Sequence, residues 1–217
     1  MKTKFIIISV AILAAIALTG CKEEPAKTVA EGEGAVEAIV EAVETVAADI
    51  SVAPQLTLKD TEGSEHSLSD YLGKIVVLEW TNSDCPFVKR HLNASTMIDL
   101  ADEYSGKGVV WLAINSTHYA DRKMNIAAIA EYGVTYPVLD DSSGEVGRLY
   151  DAKTTPHLFV IDAAGNIAYE GAIDNDRAGD KEEVINYVRK ALDEMLAGEE
   201  VSTPFVKPYG CTVKYAE

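Results

Sequence analysis

From Pro54 onward the chain alternates short apolar runs with amphipathic stretches, the pattern of strands interleaved with helices. Leu56-Thr-Leu58 followed by Asp60-Thr-Glu-Gly63 predicts a strand and a turn, and Ser67–Tyr71 a short helical turn. The β-branched run Lys74–Trp80 predicts a core strand. A helix is expected from Pro86 to about Tyr104, closed by Gly106 and Gly108 before the strand Val109–Ile114. A second helix spans Arg122–Tyr132 and stops at Gly133; Val138-Leu139 supplies a short strand. Ser142-x-x-Glu145 predicts a capping box opening another short helix. The strands His157–Ile161 and Ile167–Ala172 flank Ala-Ala-Gly-Asn, a hairpin turn. A last helix is expected from about Lys181 to Leu196, with Asp180 and Glu183 as capping residues. The order predicts an α/β domain whose central mixed β-sheet is flanked by helices on both faces. Residues 53–217, about 165 positions, suffice for one core.

Upstream the pattern is different. Met1-Lys-Thr-Lys4 is basic, and Phe5–Leu18 is apolar but short for a membrane span, as in the hydrophobic region of an export signal. It runs into Leu18-Thr19-Gly20-Cys21, which resembles the lipobox of bacterial lipoproteins. That resemblance implies a signal peptide over residues 1–20 and lipidation of Cys21, which would hold the chain at a membrane surface. Lys22 stands where Asp would favour inner-membrane retention, so the resemblance implies the periplasmic face, with the outer membrane favoured. Residues 21–52 form an acidic Ala/Glu-rich tether. Within it Val36, Ile39, Val40, Val43, Val46 and Ile50 recur at helical spacing.

The formal net charge of −16 becomes about −18 once Lys2 and Lys4 are cleaved away. Such acidity argues against nucleic acid, whose phosphates need Lys and Arg. Of the three cysteines, setting Cys21 aside leaves Cys85 and Cys211, two thiols in a compartment that permits disulfides. No Cys-x-x-Cys pair or suitably spaced His accompanies them, so no metal site is expected. Asp174, Asp176 and Asp180 lack the spacing of a calcium loop and serve as loop and cap residues. No flavin or nicotinamide motif is present, and no cofactor is expected.

Asp84-Cys85-Pro86 carries the most chemistry. It joins a core strand to a helix that Pro86 can open as first residue. Cys85 then meets the unpaired N–H groups and positive dipole end of that helix, which favour a thiolate. Asp84 opposes this, since an adjacent carboxylate disfavours a second anion.

The order of elements, the cysteine after the first core strand and Thr154-Thr155-Pro156-His157 before a late strand together resemble the thioredoxin fold. In particular the chain resembles the peroxiredoxin-like branch of the alkyl hydroperoxide reductase and thiol-specific antioxidant superfamily. The stretch Ala53–Asp60 with Ser67–Lys74 fits its N-terminal pattern. There are departures. The Cys-x-x-Cys position of thioredoxins reads Cys85-Pro86-Phe87-Val88, so any disulfide of Cys85 involves Cys211, a partner protein or a small thiol. The Thr or Ser and the Pro that peroxiredoxins place ahead of the peroxide-attacking cysteine are Asn82 and Leu78 here. Their arginine before the late strand is missing; Arg90 and Arg148 are candidate replacements, and Thr81 with Asn82 are candidate donors to a departing oxygen. These departures argue against high peroxidase activity.

The resemblance implies roles. Pro156 matches the cis-proline beside the thiol, and the Thr155 backbone would pair with an extended peptide substrate. Glu79 interrupts an apolar strand where many thioredoxins bury an acid; burial would raise its pKa and let it relay protons to Cys85. Cys211, in Pro208-Tyr-Gly-Cys-Thr-Val-Lys-Tyr215, is a candidate resolving thiol, with a static Cys85–Cys211 staple or a free thiol as alternatives; Tyr209, Val213 and Tyr215 should pack back onto the domain. His157 is a candidate neighbour of the site, whereas His91 is turned away along the helix. The expectation is a thiol-dependent oxidoreductase in which Cys85 attacks a hydroperoxide or a disulfide. A thioredoxin-like protein or small thiol would be the reductant. The alternatives are a single-cysteine disulfide reductase or isomerase, and a non-catalytic lipid-anchored binding or scaffolding module.

Overall fold

A computed structural model describes residues 51–217. The expected signal peptide, the Cys21 lipid site and the helical spacing between Val36 and Ile50 lie outside the described residues. In chain order the strands are β1 (Thr57–Asp60), β2 (Glu65–Ser67), β3 (Val76–Trp80), β4 (Val110–Asn115), β5 (Val138–Asp140), β6 (Thr154–Thr155), β7 (His157–Ile161), β8 (Ile167–Gly171), β9 (Phe205–Val206) and β10 (Cys211–Thr212). The α-helices are α1 (Pro86–Asn93), α2 (Thr96–Ser105), α3 (Arg122–Tyr132), α4 (Glu145–Leu149) and α5 (Tyr187–Leu196).

The main sheet runs β2-β1-β5-β4-β3-β7-β8-β9, with β3 at its centre. It is mixed: β3 pairs parallel with β4 and antiparallel with β7. Every residue of β3 and β7 is buried, which is why both read as near-continuous apolar runs rather than alternating ones. Pleating sends Val77 to one face and Val76, Leu78 and Trp80 to the other. The first face is covered by Val88 and Leu92 of α1, Met97 and Tyr104 of α2, and Val188 and Leu192 of α5. The second packs against Val146 of α4, Leu68 of the 3-10 turn Leu68–Tyr71, and Tyr150. This is the expected α/β, thioredoxin-like architecture, a mixed sheet with helices on both faces.

Three element boundaries differ from expectation. The helix expected from Pro86 to Tyr104 is two helices, broken at Ser95, whose φ of +54° is left-handed. Asn93 and Ser95 are residues whose side chains compete with helical backbone bonding. The break re-aims α2 so that Met97, Leu100, Ala101 and Tyr104 are all buried. α4 has no Ser142 capping box; the buried Asp141 carboxylate instead accepts the N–H groups of Val146 and Gly147, and Ser143 Oγ accepts that of Glu145. α5 starts at Tyr187, not Lys181, because Asn186 caps it by accepting the Arg189 N–H at 2.9 Å. Residues 174–186 form a loop instead, in which Asp176 accepts the N–H groups of Gly179, Asp180 and Lys181.

Beyond α5 the chain returns to the domain twice. β9 pairs parallel with β8, an addition the sequence did not announce; a Cβ on Gly171 would overlap the Val206 carbonyl. Then β10 pairs antiparallel with β6, Cys211 opposite Thr155 and Thr212 opposite Thr154.

Candidate functional site

Cys85 is the N-cap of α1, with Pro86 at the first helical position. Asn82 shapes the turn that holds it: its carbonyl accepts the Cys85 N–H at 3.0 Å, and its Oδ1 accepts the Asp84 N–H at 2.8 Å. The thiol is only 2% exposed. It donates to the Thr155 carbonyl at 3.0 Å, across a sequence separation of 70 residues. The Thr155–Pro156 bond is cis, as the resemblance implied.

Cys211 also arrives at Thr155. The β6–β10 register sets the two residues opposite each other, so the tail places Cys211 beside the residue whose carbonyl holds Cys85. Both cysteines are free thiols in this structure, with no staple between them. Burial pushes the Cys85 pKa up, but hydrogen bonds from the Cys211 thiol, the Val88 N–H, the Thr155 hydroxyl and the Cys211 N–H outweigh it, and the net shift is downward. Burial pushes Cys211 up to about 11, and sharing a proton with Cys85 adds to it. Cys85 is thus the better thiolate of the pair, and Cys211 the thiol that supports it.

Glu79 is buried on β3, 1% exposed, on the face opposite Trp80. Its Oε2 accepts from Trp111 Nε1 and from the Tyr136 hydroxyl, both at 3.0 Å. Burial raises its carboxyl from 4.5 to about 7, against the downward pull of Trp111, Tyr136 and Thr81. A cavity of about 20 Å³, room for a single water, is lined by Glu79, Thr81, Ser83, Asn115, Asn125 and Tyr136 among others. It reaches Ser83, two residues before Cys85, but Cys85 does not line it.

Several expected neighbours are not at the thiol. Thr81 turns toward Glu79, and Asn82 Oδ1 is taken by the turn. Arg90 donates to the carbonyls of Arg177 and Asp176 and to the Tyr209 hydroxyl. Arg148 donates to the carbonyls of Ser143 and Ala216. Neither replaces the missing arginine. His157 corrects another expectation: it is buried against Phe159, opposite Trp80, and so on the far face of the sheet from Cys85. The reason is parity, because its neighbour Leu158 takes the near face. The Thr155 edge also differs from expectation, being occupied by the chain's own β10 rather than left open to a substrate.

Tyr209, Val213 and Tyr215 pack back onto the domain as expected, but the sequence reading missed the polar contacts that hold the tail. The Tyr209 hydroxyl donates to Asp174 at 2.5 Å, accepts from Arg90 at 3.2 Å and lies 3.0 Å from His91 Nε2. Its ring packs against Phe87 of α1. Burial lowers the His91 pKa, and Arg90 adds to that against the pull of Asp174 and Asp176. Further along, Val213 N–H donates to Lys153, His118 N–H to Lys214 and the Tyr215 hydroxyl to Ala152. No local signal marks these contacts, because every partner is distant in sequence.

Residues 51–170 match the profile of the AhpC/TSA family. Thiol-disulfide oxidoreductase ResA of Geobacillus thermodenitrificans is 35% identical over 118 residues, which cover 54% of this chain and 65% of that protein. The chain therefore spans just under two thirds of the length of that curated relative. An uncharacterized conserved protein from Geobacillus kaustophilus has a solved structure 29% identical, with a TM-score of 0.71 over 77% of this chain and 92% of that one. The hypothetical protein SMc02350 from Sinorhizobium meliloti is similar at 28% identity and a TM-score of 0.70, covering 77% of this chain and 94% of that one.

Proposed function

The chain belongs to the AhpC/TSA family, and from that premise we propose that it is a thiol–disulfide oxidoreductase working through Cys85 and Cys211. One observation carries the reading: the tail sets Cys211 opposite Thr155, whose carbonyl accepts the Cys85 thiol. The missing second cysteine of a Cys-x-x-Cys motif, Val88 here, is supplied from 126 residues away in sequence.

Cys85 attacks one sulfur of a protein disulfide as its thiolate. A mixed disulfide forms, and the other partner sulfur leaves as a thiolate that takes up a proton. Cys211, deprotonated, then attacks Cys85 Sγ. The Cys85–Cys211 disulfide forms and the second partner thiol is released, so the partner gains two electrons and two protons. A dithiol reductant, a thioredoxin-like protein or small thiols, restores the pair. Glu79, held near 7, exchanges protons with this site through the cavity toward Ser83. Pro156 and Thr155 shape the substrate side.

A disulfide is favoured over a hydroperoxide as the electrophile. The relative at 35% identity is named a thiol-disulfide oxidoreductase, and both candidate arginines are engaged elsewhere. On the sequence evidence we further propose residues 1–20 as signal peptide, 21–52 as tether and 53–217 as redox domain, lipid-anchored through Cys21 at the periplasmic face. The test compares oxidants. The reduced chain is given equal amounts of hydrogen peroxide or insulin, and intact mass is followed without reductant. Faster loss of two hydrogens with insulin supports the reading. Faster loss with peroxide returns the chain to the peroxidase reading, and no loss with either favours a binding module.

A further inference from the structure

The thiol that should attack is closed, and the tail occupies the backbone edge beside it. Cys85 is 2% exposed, and the backbone edge beside it at Thr154–Thr155 is filled by Cys211–Thr212. The strand that fills it is only two residues long. A protein disulfide can neither reach the sulfur nor pair with Thr155 while β10 is in place. We propose that the tail from Tyr209 to Tyr215 is a displaceable strap, latched at Tyr209, which closes Cys85 to protein substrates and opens by leaving the Thr154–Thr155 edge. The inference rests on the reading of Cys85 as the attacking thiol and adds its regulation.

The latch has a defined construction. Tyr209 sits among Arg90, His91 and Asp174, with all three polar groups on its single hydroxyl. Gly210 follows with φ +147°, and a Cβ there would run into the Thr155 carbonyl, so only glycine lets the tail lie flush on β6. Beyond the thiol, Val213 and Tyr215 hold the other end. Tyr209 and Val213 are core residues, so opening draws them out of their packing, while between them only the two-residue ladder holds the edge, the kind of short pairing that opens locally.

The strap gives the reaction an order. The partner's segment and β10 need the same edge, so the partner binds only when Cys211 has left. Once Cys85 and the partner share a mixed disulfide, the returning tail brings Cys211 to Cys85 Sγ and takes back the edge. The Cys85–partner bond breaks as the Cys85–Cys211 bond forms, and the partner's thiolate leaves with a proton from solvent. Resolution and release of the partner are then one event.

Tyr209→Phe and Gly210→Ala in the full-length reduced chain test this. Cys85 alkylation by iodoacetamide is read by peptide mass on the alkaline plateau of the pH profile, where the loss of donors from Cys211 no longer affects the thiolate fraction. Removing the Tyr209 hydroxyl should speed alkylation about tenfold, and Gly210→Ala should speed it more. Alkylation as slow as wild type in either variant overturns the strap, whatever the chain does with disulfides. Faster alkylation in both, with no insulin reduction by any form, would keep the strap and defeat the oxidoreductase reading.

Discussion

Replacing Glu79 by Gln should stabilise the protein, and by an amount that grows with pH. Glu79 is 1% exposed, and burial moves its carboxyl from 4.5 to about 7 in the folded chain. In the unfolded chain it ionises near 4.5. Between those values the native state keeps a proton that the unfolded state has lost. The contribution of Glu79 to stability is therefore fully present below about pH 4.5 and is lost as pH rises through about 7. A gap of roughly two and a half units corresponds to about 3 kcal/mol. Glutamine is nearly isosteric, and its carbonyl oxygen can accept from both Trp111 and Tyr136, but it does not titrate. Urea unfolding of the two reduced proteins from about pH 4.5 to 8.5 gives the difference at each pH and cancels every other titrating group. The expected result is a Gln-minus-Glu difference that rises by about 3 kcal/mol across the range. A difference that stays constant to about 0.5 kcal/mol would show that Glu79 titrates as an ordinary carboxylate, and the proton-relay role would go with it.

Cys211→Ser should leave Cys85 able to attack but unable to release its partner, so a mixed disulfide accumulates on non-reducing gels; unchanged insulin turnover would show that Cys211 does not resolve. Asp141→Ala removes the buried acceptor of Ser116 Oγ, Val146 N–H and Gly147 N–H. It should cost about 3 kcal/mol in urea unfolding, and a cost below about 1 kcal/mol would mean those donors find other partners. Asn186→Ala removes the cap of α5 and should cost about 1 kcal/mol by the same measurement, with no change in Cys85 alkylation.

What was legible in the sequence follows from which forces are local. The strands β3 and β4 declared themselves because both faces are buried, leaving unbroken apolar runs. The helix Arg122–Tyr132 was readable to the residue, since Asp121 caps it and Gly133, at φ +69°, ends it in the left-handed conformation. Ser95 hid its break because Val88 and Leu92 before it, and Met97, Leu100, Ala101 and Tyr104 after it, each keep helical spacing. Glu79 was visible as an acid in an apolar strand, but Trp111 and Tyr136, which hold it, lie 32 and 57 residues on. The cysteine pair was readable as the two thiols left once Cys21 is read as a lipid site. Their meeting at Thr155 was not, because a two-residue ladder has no periodicity and the Tyr209 contacts span 35 to 119 residues. The far-face position of His157 was recoverable from strand parity alone.

Cys85 and Cys211 are proposed to act as one redox pair on a protein disulfide. The most direct measurement is a disulfide map of the reduced full-length chain after reaction with one equivalent of insulin, quenched by acid and digested without reductant. A Cys85–Cys211 bridge should appear together with two new thiols on the insulin. An insulin disulfide that stays intact, or one reduced while Cys211 remains a free thiol, would contradict it.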